Sequence, residues 1–376
     1  MKMKKIHWIG AGLSSVPGIR RLASTGQNIT VWNRTLEKAK NSINHVSSEN
    51  VKAKELNFEN LKKEINKNDI VISQLSANLH IKVAKICLEK DAHFASTSYL
   101  SQEIRDLHEK AKSKKLVFIN EIGLDPGIDH FFTHLLVDEL KKQNLGKIDV
   151  IYKSYCGGIP ADENDFKYKF SWSPLGVLKA LNNTAEFIEN FEYKKISRPY
   201  EHLSKYKINN EYFELYPNRN SIPYIDEYLF EKEWKVKEFI RGTLRLNGWS
   251  EAWSNIFKML NSNIENIEDD IVKKSDELWK EFKYKENEKD RVVLWVNLKA
   301  QKNSETLWSK TFHLDEQGSG ENTAMAKLVS ITLSAVIDLM IENKIEPGVQ
   351  AAPHKKDLIN YIFGILNNYS ITINQN

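Results

Sequence analysis

Asn120-Glu-Ile-Gly-Leu-Asp-Pro-Gly-Ile-Asp-His130 gathers Asp125, Asp129 and His130, side chains able to hold a polar ligand or move protons, in one short stretch. Gly123, Pro126 and Gly127 rule out an ordinary helix or strand interior there, so the stretch is a shaped loop. It follows the apolar run Leu116 to Ile119, which reads as the last strand of a parallel sheet, and it precedes a helical pattern starting near Phe131. Ligands of open α/β sheets bind outside the carboxyl ends of the strands, where this loop falls. A tight turn with solvated acids accounts for the same residues. A second set is basic. Arginine is scarce, with lysine at most basic positions, yet Arg219, Arg241 and Arg245 fall close together. Residues i and i+4 of a strand share a face, so Arg241 and Arg245 can point together. Paired guanidinium forks suit carboxylates; surface placement is the plainer alternative. His130 and His134 lack the partners of a zinc site, and no metal-ligand spacing or Ser-His-Asp order appears, so no metal is expected.

The elements that position these residues begin with Lys5 to Gly10, a short strand. Gly10-Ala11-Gly12-Leu13-Ser14-Ser15 follows, then a helix to about Thr25 and a strand Ile29 to Trp32. This βαβ unit is the context a dinucleotide fingerprint requires, although Ser15 replaces the third glycine. A bare glycine turn would read the same way. After the second strand stand Asn33, Arg34 and Thr35, with no carboxylate to repel a 2′-phosphate and an arginine to pair with one, which favours NADP over NAD. Thr35 also fits as the N-cap of the next helix. Strands at Val51–Ala53, Ile70–Ser73, Ala92–Ala95 and Leu116–Ile119 alternate with helices at 36–46, 58–66, 79–90 and 101–113. Six strands interleaved with helices predict a Rossmann-type α/β fold, a doubly wound parallel sheet. The loops Gln74 to Asn78 and Ser96 to Tyr99 share the rim with Gly10 and Asp125; hydroxyls there also serve as helix caps, the expected role of Ser101.

From Lys147 the pattern changes. Strands are expected at Ile148–Tyr155, Lys167–Trp172, Phe239–Leu246, Val292–Lys299 and Leu307–Leu314. Ser173-Pro174 opens a helix to about Phe191, 250–285 reads as a charged helical insertion, and 322–342 and 358–366 are apolar-periodic helices. The second domain is therefore α+β with a mixed or antiparallel sheet, over about 131–320. The first takes 1–130 and about 321–376. The 41% apolar content gives both domains real cores, and Lys+Arg 54 against Asp+Glu 50 leaves no nucleic-acid or membrane footprint. Cys87 and Cys156 make no disulfide framework. Met1 to Gly10 is too short and polar for a signal peptide, and no apolar run approaches the ~18 residues of a membrane helix. A cytoplasmic protein is expected.

These motifs converge. The Asn120–His130 loop resembles the signature loop of the saccharopine dehydrogenase (L-glutamate-forming) family, also called saccharopine reductase. So do Thr97-Ser98-Tyr99, Ser154-Tyr-Cys-Gly-Gly-Ile-Pro160, Tyr168-Lys-Phe-Ser-Trp-Ser173, Tyr216-Pro-Asn-Arg219, Ile240-Arg-Gly-Thr-Leu-Arg245 and Pro347-Gly-Val-Gln-Ala-Ala-Pro353. The matches run in family order from about residue 5 to 353. The resemblance implies that 2-aminoadipate 6-semialdehyde and glutamate form an imine that NADPH reduces to saccharopine, or the reverse with NADP. It implies substrate contacts at Ser98, Tyr99, Asp125, Arg219, Thr243, Leu244 and Arg245. It implies NADP contacts at Gly10, Ala11, Gly12, Leu13, Ser14, Asn33, Arg34, Thr35, Leu75, Thr97, Ser98, Leu124, Asp125, Pro126 and Ser173. It further implies a homodimer built on the second domain and C-terminal helices that rejoin the first. Amine oxidation needs a proton taken from nitrogen, for which Asp125, Tyr99 and Cys156 are candidates. The chain departs from the family pattern at Pro174-Leu175, where Ser-Arg is expected. A related imine reductase of polyamine metabolism, such as carboxynorspermidine dehydrogenase, or a non-catalytic NADP-binding sensor are the alternatives.

Overall fold

Short β-branched and aromatic runs separated by amphipathic helices build the first of two compact units in the computed structural model, which describes residues 4–46, 48–262 and 267–376. This unit holds residues up to Phe131 together with Ala326–Ser370. Its elements run β1 (Lys5–Ile9), α1 (Val16–Ser24), β2 (Asn28–Asn33), α2 (Leu36–Ser42), β3 (Val51–Glu55), α3 (Phe58–Glu64) and β4 (Ile70–Ser73). They continue with α4 (Ala77–Glu89), β5 (His93–Ser96), α5 (Gln102–Arg105), α6 (His108–Ser113), β6 (Val117–Ile119) and the start of α7 (Ile128–Lys141). The helix expected over 101–113 is thus two short ones.

The second unit, Phe132–Met325 and Ile371–Asn376, contains most of α7 and then β7 (Asp149–Pro160), α8 (Pro174–Leu181), β8 (Ala185–Glu189) and β9 (Glu192–Ile196). There follow β10 (Ser204–Ile208), β11 (Glu211–Pro217), α9 (Tyr224–Glu227), β12 (Lys235–Leu246), α10 (Trp249–Ala252), α11 (Ser254–Leu260), α12 (Ile267–Phe282), β13 (Lys289–Lys302) and β14 (Glu305–Ser319). The chain returns to the first unit with α13 (Ala324–Ile341), β15 (Gly348–Gln350) and α14 (Lys356–Asn368), and ends with β16 (Asn374–Gln375), which pairs with β14.

The first sheet is parallel throughout, in the order β15-β6-β5-β4-β1-β2-β3, with the chain crossing from β1 to both flanks. That is the doubly wound arrangement, and its switch point lies beside β1. It has seven strands rather than six. Leu116–Ile119 is not the last strand: β15 pairs parallel with β6 on its outer side. Three residues are too few to show a period, so β15 leaves no mark in the sequence. Helix α13 belongs to this unit and is 18 residues long, apolar enough to cross a bilayer, which corrects the expectation that no run reached that length. Its burial is that of a core helix: 72% of the stretch is buried. Gly18 of α1 lets it approach closely, since a Cβ there would sit 2.1 Å from the Ser330 carbonyl oxygen. Arg21 of α1 pairs with Asp338, whose other contact is the Tyr361 hydroxyl of α14.

The second sheet is mixed, in the order β10-β11-β12-β7-β13-β14-β16, with only β12 and β7 parallel on that path. Lys167–Trp172 is not a strand. Lys167 has φ +55°, and Tyr168 and Phe170 point into an aromatic cluster with Trp249 and Trp253, so their alternation reflects packing beside helices. The helix from Pro174 stops at Leu181 instead of Phe191, and β8 and β9 form a hairpin turning on Asn190 and Phe191, both with positive φ. That geometry is what a two-residue hairpin turn demands. The 250–285 segment is helical as expected, with α10, α11 and α12; its residues 263–266 lie outside the described residues.

Candidate active site

In the first unit the sequence-predicted residues line the carboxyl ends of β1, β2, β4, β5 and β6. Gly10 has φ +101°, and a Cβ there would meet the Gln74 carbonyl oxygen at 2.6 Å, so only glycine fits. A Cβ at Gly12 would meet nothing within 4 Å, and Leu13 is exposed beside it. Ser15 precedes α1 without a side-chain cap bond; in the first turn Pro17 has no N–H to offer and Gly18 N–H donates to Ser330 Oγ at 2.8 Å. Asn33 ties the two turns together: its Oδ1 accepts from Ala11 N–H at 3.1 Å and its Nδ2 donates to the Thr35 carbonyl at 3.0 Å. Thr35 occupies the N-cap position of α2 without making a cap bond. Arg34 is exposed and, among the described residues, has no acidic partner. Leu75 is half-buried against the sheet core, and the Gln74 amide donates to Thr97 Oγ1 at 3.1 Å.

The 120–130 loop is locked from several sides. Gly127, at φ +149°, lies so close to Gly123 that a Cβ would be 2.1 Å from the Gly123 oxygen, and Asp129 Oδ1 accepts from Gly127 N–H at 2.7 Å. Asp129 and His130 are buried; His130 Nε2 lies 2.9 Å from the Glu121 carboxylate. Glu121 also accepts from Leu100 N–H at 2.8 Å, and its own N–H donates to the Ser98 carbonyl at 3.1 Å. From Leu116 to Val137 every residue is buried except Asp125, which is half-buried. Leu124 and Pro126 flank it. The Tyr99 hydroxyl donates to Asp125 Oδ1 at 2.9 Å. Asp129 and His130 therefore build the loop, and Asp125 is the carboxylate it presents.

In the second unit, β-sheet register sorts the remaining candidates by face. Arg241 lies opposite Ser154 and Thr243 opposite Cys156, placing Arg241, Thr243, Arg245 and buried Cys156 on one face. Leu244 belongs to the other face, in an apolar cluster with Tyr155, Leu215 and Val293, so only its backbone borders the arginines. Arg241 stacks on the Tyr224 ring at 4.5 Å. Arg245 is buried among the rings of Tyr168 at 4.9 Å, Tyr216 at 5.3 Å and Trp249 at 5.4 Å. It donates to the Tyr216 hydroxyl at 2.7 Å and the Leu244 carbonyl at 3.0 Å. Its cross-strand neighbour Glu214 accepts instead from Gly248 and Ser250 N–H, at 2.9 and 2.7 Å. Among the described residues Arg245 has no acidic partner, and its Nε has no hydrogen bond. A buried cation without a counter-ion is costly, so the geometry points to an anion as its missing partner. Burial raises the Tyr216 phenol above its ordinary value, with Arg245 opposing, and keeps it a donor. Arg219 sits on an exposed turn with φ +57°. Ser173 caps α8 by accepting from Gly176 N–H at 3.2 Å. Sequence reasoning missed Tyr168, Tyr216 and Trp249 as the walls around Arg245, and Glu121 and His80 beneath the rim; no spacing rule flags them. Among the described residues no cluster of His, Cys, Asp or Glu could hold a metal ion.

The parallel sheet with its glycine turn and 2′-phosphate-ready arginine defines a dinucleotide-binding α/β oxidoreductase fold. Residues 6–119 match the saccharopine dehydrogenase NADP binding domain, and residues 123–371 the saccharopine dehydrogenase C-terminal domain. The chain belongs to the saccharopine dehydrogenase family. A saccharopine dehydrogenase (NADP(+), L-glutamate-forming) of Pyricularia oryzae is 29% identical over 433 residues, 95% of each chain. Its namesake in Schizosaccharomyces pombe is 37% identical over 257 residues, 66% of this chain and 56% of that one. The apo saccharopine dehydrogenase (L-Glu forming) of Saccharomyces cerevisiae superposes with a TM-score of 0.84 at 26% identity, covering 99% of each chain. The rim fits NADP. Gly12 leaves room for a pyrophosphate in the turn that leads into α1, and Arg34 is available to a 2′-phosphate.

Proposed function

We propose that this chain is an NADP-dependent saccharopine dehydrogenase of the L-glutamate-forming type. In the oxidative direction the secondary amine of saccharopine loses a hydride from carbon and a proton from nitrogen. Water then resolves the imine into 2-aminoadipate 6-semialdehyde and glutamate. NADP supplies the hydride acceptor when bound. The protein's part is to bind, orient and take the proton. Arg245, buried without an acidic partner, carries the reading: saccharopine has three carboxylates, and this fork is built to receive one. Arg241, Arg219 and Thr243 are assigned to the same substrate. Asp125, oriented by the Tyr99 hydroxyl, takes the amine proton, the smallest set of groups that meets the reaction's need. Cys156 remains a candidate only for a contact, because it is buried in β7.

The protein is further assigned to the cytoplasm, as a homodimer serving lysine metabolism, without nucleic-acid or membrane partners. Tyr206 and Trp295, half-buried around Tyr155 on the sheet face opposite the arginines, support a subunit contact there. The test mixes purified protein with saccharopine and NADP and follows NADPH absorbance. Turnover with NADP is expected, and Asp125→Ala should lose it while melting like the wild type. Silence, with NADPH still bound in a titration, would overturn the proposal in favour of a different imine substrate or a sensor.

A further inference from the structure

Ser98 stands at the rim beside Tyr99, and its hydroxyl is the end of a hydrogen-bonded chain that runs through buried His80 to Ser73. His80, on α4, is buried against Phe94. Its Nδ1 lies 2.8 Å from the Ser73 hydroxyl at the end of β4, and its Nε2 lies 2.8 Å from the Ser98 hydroxyl after β5. Ser96 Oγ is farther from Nε2, at 3.4 Å, and accepts from Ser98 N–H at 3.1 Å. We propose that His80 is a positioning residue that fixes the direction of the Ser98 hydroxyl, so that Ser98 presents its proton to an acceptor on the ligand.

The direction follows from satisfaction of buried donors. Ser73 is fully buried, and His80 is its hydroxyl's partner among the described residues. A buried O–H left unused costs more than a spare lone pair, so Ser73 donates to Nδ1. The ring proton then sits on Nε2 and is donated to Ser98 Oγ, the nearer partner at 2.8 Å; buried Ser96 Oγ, at 3.4 Å, is too far to claim that nitrogen as its acceptor. Ser98 has accepted, and its own proton is free to point away from the histidine. The relay is neutral throughout, as burial lowers the His80 pKa to about 4. The complementary ligand atom is an oxygen acceptor, a carboxylate of the substrate or a carboxamide of the nucleotide. This inference rests on the placement of Ser98 in the reaction site proposed above.

The test is a double-mutant cycle on kcat/KM for saccharopine with His80→Gln, Ser98→Ala and the pair. His80→Gln and Ser98→Ala should each lower kcat/KM about tenfold, and the double variant should fall no further than Ser98→Ala alone. Full additivity would overturn the relay. Histidine side-chain nitrogen NMR on the wild type gives a reading independent of turnover. A neutral Nε2–H tautomer for His80 at pH 6 is expected; an Nδ1–H tautomer or an imidazolium would overturn the proposal. Absence of wild-type turnover would instead remove the activity assigned above, with the tautomer still deciding the relay.

Discussion

The rim of the parallel sheet and the face of the mixed sheet build binding sites by opposite means. On the rim, the groups that fit a nucleotide are backbone N–H groups and strand-end turns, with Gly10 and Gly127 required for their conformations. Side chains such as Asn33 and Glu121 serve mainly to tie one turn to the next. On the mixed sheet the backbone is committed to strand pairing, and the chemistry sits on side chains selected by parity along β12 and β7. A rim site therefore tolerates a change of side chain but not of backbone. A face site has the reverse sensitivity.

The largest effect should come from Arg245→Met. Losing the fork should lower kcat/KM for saccharopine by about a thousandfold, equivalent to roughly 4 kcal/mol, leaving the KM for NADP unchanged. Because Arg245 has no acidic partner, the same variant should melt no lower than the wild type. Loss of activity together with a large fall in Tm would mean that the guanidinium holds the fold. Next is the neighbour on the opposite face. Leu244 is fully buried among apolar side chains, so Leu244→Ala should cost about 3 kcal/mol of stability. The substrate KM of the surviving folded protein should stay within about twofold, roughly 0.4 kcal/mol. A tenfold rise in KM at normal stability would put the side chain, rather than its carbonyl, against the substrate.

How much of this was legible follows the same division. The βαβ start, the strand Ile70–Ser73 and the Gly-Pro-Gly loop around Asp125 could be read directly, because local backbone chemistry writes itself into contiguous residues. Arg241 and Arg245 were readable as a same-face pair from strand parity. The direction of Leu244 was readable too, but family resemblance grouped it with its neighbours. What stayed hidden depends on distant partners. β15 is three residues placed by pairing with β6, and Lys167–Trp172 alternates like a strand because its rings pack on Trp249 and Trp253. Glu121 and His80 act through hydrogen bonds across intervals of 21 and 18 residues, which no periodicity records.

Arg34 tests the rim where a side chain does matter. Arg34→Ala should weaken NADP by about tenfold to thirtyfold, roughly 1.5–2 kcal/mol, and leave NAD nearly unchanged, measured by fluorescence titration of both reduced cofactors. An unchanged ratio would remove the 2′-phosphate assignment and leave the rim purely a backbone site.

The smallest effect is the most discriminating between fold and ligand. Thr35 and Asn57 both stand at N-cap positions, of α2 and α3. Asn57 Oδ1 accepts from Glu59 and Asn60 N–H at 2.9 and 3.1 Å, whereas Thr35 makes no cap bond. Asn57→Ala should therefore cost about 1 kcal/mol of stability, the usual worth of a cap. Thr35→Ala should cost under about 0.5 kcal/mol, since only an exposed hydroxyl is lost. Its effect should appear instead as a several-fold weaker affinity for NADPH in the same titration. If both variants destabilise equally and NADPH binds Thr35→Ala normally, the threonine is a cap in solution and the rim loses one of its polar contacts.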